Sequence, residues 1–274
     1  MVMKNKILIL TSGKVSKLEG FNGGNLTKGS FDDVWFSSDN KNLMINEEDI
    51  KNFDLIYFRM VGKSLEIATL VANYAVKNGV KIVDKMYEKA HLMPLNLAKS
   101  IETKKLIEAD IPMPKTVFGK FNHLPFPFIV KSTSSSRGRE VWMVKNNEEL
   151  ENLKKEKFKK NKFYFCQELV PNAQRIRVLV VGDKCLGAIV RQTKWNKDET
   201  KDTLSPIPEN VKQLALKTVN AAGLDICGID ILVNKKTNKV YVIEANAAPS
   251  WKLINKYCGI IVEDEIIKYL QKKI

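Results

Sequence analysis

The chain is 274 residues long and carries 45 Lys+Arg against 31 Asp+Glu, a formal net charge of +14 and a pI near 9.4. With 44% hydrophobic and 8% aromatic residues it can bury a core, which excludes a disordered basic tail and leaves two or three folded lobes. Six of its cations are arginines (Arg59, Arg137, Arg139, Arg175, Arg177 and Arg191), so lysine is the default surface charge and arginine marks places that need a planar, bidentate fork.

Met1 to Leu10 contains only four consecutive apolar residues, too few for a signal peptide or a membrane span, and a soluble cytoplasmic protein is expected. Lys6–Thr11, Asp32–Phe36 and Asp54–Met60 read as short buried strands. Ala68, Val71, Ala72 and Ala75 recur at helical spacing, Gly79 stops that helix, and Lys81–Asp84 is the next strand. Residues 1–92 are therefore expected to form a small doubly wound α/β domain. A helix over 94–110 ends before Ile111-Pro112-Met113-Pro114, whose prolines forbid its continuation. Strands then follow at Pro127–Lys131, Val141–Lys145, Phe163–Gln167, Arg177–Val181 and Cys185–Arg191, the last two joined by a Gly182-Asp183 turn. The lysines of 154–162 read as a solvated helix end or loop. Val211 to Ala222 is an amphipathic helix closed by Gly223, residues 228–234 and 239–244 form a hairpin, and Val262, Ile266 and Leu270 mark a C-terminal helix. The expected units are 1–92, 93–165 and 166–274.

The four cysteines are widely spaced without a CxxC pair, which points to free thiols in a reducing compartment. Only His91 and His123 are present, which excludes a multi-histidine metal site or a histidine-activated nucleophile.

A hairpin turning at Thr237 sets Asp230 directly across from Glu244, and Asn246, two residues on, keeps the same face. Three oxygen ligands in otherwise apolar strands suit Mg²⁺, completed by water and phosphate; the other reading is solvent-facing strand residues. Lys131 is followed by Ser132-Thr-Ser134-Ser135-Ser136-Arg137-Gly138-Arg139-Glu140, a loop offering N–H groups, hydroxyls and cations to polyphosphate, although a plain polar hairpin has the same composition. Gln167-Glu168-Leu169-Val170 ends a strand in an acidic residue and an apolar linker, an edge able to frame an adenine ring. Arg59 ends the strand over Leu55–Arg59 and faces the crevice where open α/β sheets bind ligands; with Lys14 it is a candidate for an acidic substrate group, a structural salt bridge being the alternative.

Taken together, and in this order with Lys99 and Arg191, these segments resemble the ATP-grasp superfamily, within it the RimK-like α-L-glutamate ligases of the carboxylate–amine ligase branch. The resemblance implies an ATP-grasp fold: a doubly wound pre-ATP-grasp domain followed by two α+β lobes that clamp ATP. It implies that Lys99, Lys131 and the loop with Ser134, Ser135, Ser136, Arg137 and Gly138 contact ATP phosphates, and that Gln167, Glu168, Leu169, Val170 and Arg177 fall with the nucleotide. Asp230, Glu244 and Asn246 would hold one or two Mg²⁺ ions, with Mn²⁺ as a substitute, and Arg191 would face the reacting carboxyl or acyl phosphate. The implied partners are ATP, an acidic carboxylate and an amine carried by an amino acid, peptide or protein tail, with oligomeric state open. Three departures stand out: Arg175 lies near a position where an acidic ribose contact is usual, Trp195-Asn196-Lys197 shortens the segment after the catalytic arginine, leaving Asn196 as a substrate candidate, and Pro249-Ser250-Trp251 replaces the common Pro-Gly after the metal asparagine. The alternatives are a peptide macrocyclase, a kinase of a phosphorylated polyol, or a basic nucleic-acid-binding protein; the last lacks a visible recognition helix or base-stacking platform.

Overall fold

A computed structural model describes residues 5–37, 40–89, 99–121, 123–134, 139–160, 162–191, 195 and 202–274. In chain order, the first part consists of β1 (Ile7–Thr11), β2 (Leu26–Ser30), β3 (Val34–Ser37), β4 (Asn40–Ile45), β5 (Glu48–Asp49), β6 (Leu55–Met60), α1 (Leu65–Lys77) and β7 (Lys81–Val83). Four of the strands make a parallel sheet in the order β2-β1-β6-β7. Its central strands β1 and β6 are buried on both faces over most of their length, and their side chains alternate with period two. Leu8, Leu10, Ile56, Phe58 and Ile82 pack toward α1, while Ile7, Ile9, Leu55, Tyr57 and Val83 enter a second core.

The segment expected as a strand over Asp32–Phe36 departs from that pattern. Phe31 to Asp33 form a tight turn, with Ser30 Oγ accepting from Asp32 N at 3.1 Å and Asp33 Oδ2 accepting from Ser30 N at 3.1 Å. This turn delays the strand to Val34, where it joins a separate antiparallel sheet β3-β4-β5, with Trp35 and Phe36 exposed. The parallel edge strand is instead Leu26–Ser30, whose single aliphatic residue conceals it from a hydrophobic-run reading.

Next come α2 (Lys99–Glu108), β8 (Thr116–Phe118), β9 (Phe128–Ser132), β10 (Val141–Val144), α3 (Asn147–Lys157) and β11 (Tyr164–Glu168), the strands forming an antiparallel sheet β10-β9-β11-β8. The N-terminal part of the helix expected over 94–110 lies outside the described residues. The division expected between residues 165 and 166 falls within β11, all of whose pairing is with β8 and β9. The last part comprises β12 (Ala173–Val181), β13 (Lys184–Arg191), β14 (Asp202–Thr203), α4 (Glu209–Ala222), β15 (Ile226–Asn234), β16 (Val240–Asn246), α5 (Lys252–Cys258) and α6 (Val262–Lys273), with sheet order β14-β13-β12-β15-β16. Strand β12 begins four residues before the expected Arg177, which brings Arg175 into the ladder. Gly223 ends α4 in the left-handed conformation at φ 70°, as its position after Ala222 requires.

How the parts adhere differs sharply. Leu179, Ile189 and Ile226 of the last sheet share one core with Ile7, Ile9 and Tyr57 of the first sheet and with Trp251, Ile254, Ile266 and Leu270 of α5, α6 and the loop before them. Each such side chain, fully buried, stabilises by roughly 1.5–3 kcal/mol relative to exposure. The buried Asp84 adds a polar pin: its Oδ1 accepts from Asp225 N at 2.6 Å and Ile226 N at 2.8 Å, while Lys85 N donates to Asp225 Oδ2 at 3.1 Å. The core of the β8–β11 sheet, built on Phe128, Val130, Val144, Leu150 and Cys166, draws on no residue of the other two. All four cysteines are free, as their spacing suggested. Among the described residues, no helix is long and apolar enough to cross a membrane.

Candidate active site

The β12–β16 sheet has one face for packing and one for charge. Ile176, Val178, Val180, Ile229, Ile231 and Val242 pack on α4. Period two sends the intervening residues to the opposite face, where Arg175 stands across from Arg191, and Arg177 across from Asp230, which stands across from Glu244. Gly228, across from Asn246, lies under the following turn: a Cβ there would meet the Pro249 Cβ at 2.8 Å.

The expected Asp230–Glu244 pairing is present, but it is reached differently. Val233 pairs with Val240, Leu232 with Tyr241 and Ile231 with Val242, and the register then slips so that Asp230 meets Glu244. Ile243 is the extra residue of a β-bulge, and bulges re-aim the side chains beside them. Glu244 is thus presented by a local distortion rather than by a regular ladder turning at Thr237.

Asp230 is completely buried. Arg177 grips it with both prongs, Nε to Oδ1 and Nη2 to Oδ2, each at 2.6 Å, and Arg175 Nη2 donates to Oδ2 at 2.5 Å. Burial alone would raise this carboxyl, but the Arg177 hydrogen bonds and the charges of both arginines outweigh it and hold the group at about 2. The same pairing raises Arg177 against the opposing effect of its own burial. Arg191 is pushed down by burial and by the like charges of Arg177 and Arg175. Arg177, expected with the nucleotide, is therefore committed to Asp230.

Across the crevice, Lys99 opens α2 and places its Nζ 3.5 Å from Glu244 Oε1. Lys131 on β9 donates to Gln167 Oε1 at 2.6 Å, and Gln167 Nε2 donates to Thr116 Oγ1 at 2.9 Å. Burial pulls the Lys131 ammonium down to about 8, with Glu244 opposing and Lys99 and Arg175 reinforcing the shift. Ser134 turns back on Ser132, whose Oγ accepts from its N–H at 3.3 Å. Ser135, Ser136, Arg137 and Gly138 lie outside the described residues, as does Asn196. At the end of β11, Glu168 N donates to Lys115 O at 2.8 Å and Val170 is buried, with Leu169 between them.

Arg59 makes no salt bridge to a described residue. Its Nη2 donates to Pro249 O at 2.8 Å, its guanidinium lies 3.9 Å over the Trp251 ring, and its buried Nη1 has no hydrogen-bond partner among the described residues. Lys14 is exposed; Lys17 is the lysine that folds back, onto Ser12 O at 2.7 Å.

Glu102, which pattern reading missed, belongs to this site. It accepts from Ala245 N at 2.6 Å, and burial pushes its carboxyl up to about 8, the Ala245 N–H opposing and Glu244 adding. The only available signal was its place three residues after Lys99, on the same side of a helix. A cavity of about 190 Å³ extends from Lys99, Glu102, Glu244 and Asn246 to Met60 and Gly62 at the carboxyl end of the first sheet.

The candidate metal donors are all hard oxygens. Asp230 keeps one of its roughly four lone-pair positions, Glu244 is half-exposed, and the Asn246 Oδ1 already accepts from Ala248 N at 2.9 Å but retains capacity for another bond. Among the described residues no group of three His, Cys, Asp or Glu forms a closed cage. Two carboxylates and one amide fit Mg²⁺, which usually retains waters and phosphate oxygens.

A family model described as the RimK-like ATP-grasp domain matches residues 86–270. The human β-citrylglutamate synthase B is 30% identical over 154 residues, 53% of this chain and 39% of that protein. A probable α-L-glutamate ligase of Mannheimia succiniciproducens is 27% identical over 192 residues, 64% of each chain. The chain thus spans less than two thirds of either relative. In overall fold it resembles the ATP-grasp ligase PsnB, solved with a phosphomimetic variant of its minimal precursor, Mg and ADP, at a TM-score of 0.71 and 15% identity over 98% of both chains.

Proposed function

Since the chain belongs to the RimK-like ATP-grasp family, we propose that it is an ATP- and Mg²⁺-dependent carboxylate–amine ligase that forms an amide through an acyl phosphate, adding a glutamate-type amino acid to a peptide or protein. The observation that carries this reading is the charged row Arg177–Asp230–Glu244, with Lys99 and Arg191 at its two sides and Lys131 facing it.

No histidine or nucleophilic side chain is needed. A substrate carboxylate attacks the γ-phosphate and ADP leaves; the amine then attacks the acyl carbon and phosphate leaves. Lys99 and Lys131 bind and orient the phosphates, and the backbone of Glu168 and Val170 frames the adenine. Arg191, whose fork suits a carboxylate or a phosphate, holds the acyl group in line for both steps. Asp230, Glu244 and Asn246 would hold Mg²⁺, which supplies neutralisation of the negative charge spread over the transferred phosphoryl group. Arg175 and Arg177 orient Asp230. Arg59, stacked on Trp251 with one prong unsatisfied, binds an acidic group of the substrate away from the reacting carboxyl.

The test is a screen of amino acids and acidic peptides for ADP and phosphate release, with the product identified by mass spectrometry. The expected product is heavier by one amino-acid residue. ADP release with a phosphorylated product and no amide would overturn the reading in favour of a kinase.

A further inference from the structure

Strand β16 is the edge of its sheet, and an edge strand directs a row of N–H groups away from its only partner. Two of these groups are satisfied by the segment that starts with α2. Val242 N donates to Pro112 O at 2.8 Å, and Ala245 N donates to Glu102 Oε1 at 2.6 Å. Between these two anchor points lie Ile243, the extra residue of the bulge, and Glu244, the ligand candidate that the bulge presents. The anchor at Ala245 is a partly buried carboxyl group whose Oε1 receives a backbone N–H that has no strand partner on that side. Lys99, one helical turn away on α2, approaches Glu244 itself. One helix face therefore holds both the main chain and the side chain of the bulge.

We propose that Glu102 is a positioning residue that fixes the bulge, so that Glu244 and Asn246 face Asp230 from one side, and that it thereby sets the affinity of the site for its divalent ion. The inference rests on the metal reading of Asp230, Glu244 and Asn246 given above. Removing Glu102 leaves the Ala245 N–H unpaired and the bulge free to relax toward a regular ladder, which would turn Glu244 away from Asp230.

The experiment uses the full chain, a non-hydrolysable ATP analogue and Mn²⁺ as a paramagnetic probe, with bound and free ion separated by electron paramagnetic resonance. Wild type should bind Mn²⁺ in the presence of the analogue. Glu102→Ala and Glu102→Asp, which cannot reach Ala245 N, should each raise the Mn²⁺ Kd about 10- to 100-fold, the range for residues that orient metal ligands. Glu102→Gln keeps an acceptor oxygen at the same reach and should stay within about threefold of wild type, since the amide carbonyl replaces the bond. Binding of the analogue without metal should be the same in all four proteins. Should Glu102→Ala fail to fold, the Asp and Gln variants decide. Wild-type Mn²⁺ affinity in the Ala or Asp variant, or a loss in Gln equal to theirs, would overturn the proposal alone. Absence of Mn²⁺ binding to wild type would overturn the metal reading and this proposal with it.

Discussion

The two sheets that face each other across the crevice bring charge to it by opposite means. On β12–β16 the ionic groups are paired across strands and partly sealed from water: two arginines close on a buried aspartate, and a bulge lifts Glu244 beside it. On β8–β11 a single cation, Lys131, leans on a neutral amide, Gln167, and continues into a serine-rich loop. A buried pair is expensive to break from one side, because the remaining partner is left as an uncompensated charge. An amide-supported lysine carries no such penalty. Substitutions in the first sheet should therefore affect folding and chemistry together, whereas those in the second should affect nucleotide binding.

The sharpest break of this contrast is Asp230→Ala, which strands Arg175 and Arg177. Unfolding free energy should fall by about 3–5 kcal/mol, readable as a lower urea midpoint, and turnover should vanish. Because the folded carboxyl is held at about 2, below its usual value, this network contributes its full stability above pH 4 and loses it as pH falls toward 2; acid titration of wild type should show that loss and the variant should not. Glu244→Ala separates the two effects. Its carboxylate is partly exposed and its one close ion pair among the described residues is the solvent-accessible contact with Lys99 at 3.5 Å, so the melting temperature should stay within a few degrees while ADP release drops by about 10²–10³-fold. Normal turnover in that variant would remove the metal assignment.

Lys131→Ala should raise the Kd for nucleotide about tenfold without loss of fold. Its ammonium, pulled down to about 8, is charged below that pH and neutral above it, so wild-type nucleotide affinity should weaken as pH rises through 8 and the variant's profile should be flat there. The smallest effect is expected for Arg59→Ala, a several-fold rise in KM for the acidic substrate with kcat retained. An unchanged KM would return Arg59 to a purely structural role on Trp251 and Pro249.

Strands were the legible part of this molecule. Runs such as Ile7–Leu10 and Ile229–Val233 announce themselves by composition, and period two is enough to place Asp230, Glu244 and Asn246 on one face. Arg175 stands out in the sequence only as a departure, because the apolar run that marks the strand starts after Arg177; the added residues of β12 are what carry Arg175 to Asp230. The bulge at Ile243 was invisible, since hairpins of either register place the same residue types near each other. Glu102 was hidden for a related reason: a glutamate in a lysine-rich helix resembles solvated surface, and its partner is a backbone N–H 143 residues away that no side-chain pattern encodes. Leu26–Ser30 escaped because pairing with β1, rather than hydrophobicity, makes it a strand.

The separate core of the β8–β11 sheet has a mechanical meaning. The outer two parts are glued by a common core and pinned by Asp84, and together they make one jaw of the crevice. The β8–β11 sheet joins this jaw through two chain crossings, each with a non-glycine residue in left-handed backbone, Asp110 at φ 52° and Asn172 at φ 50°. Both crossings are moored to the jaw, through Lys217 Nζ on Asp110 O and Lys235 N on Asn172 O, each at 3.1 Å. The β8–β11 sheet therefore meets the rest of the molecule at two anchored chain crossings, and Lys131 confronts the row of charges from a core that neither outer part shares.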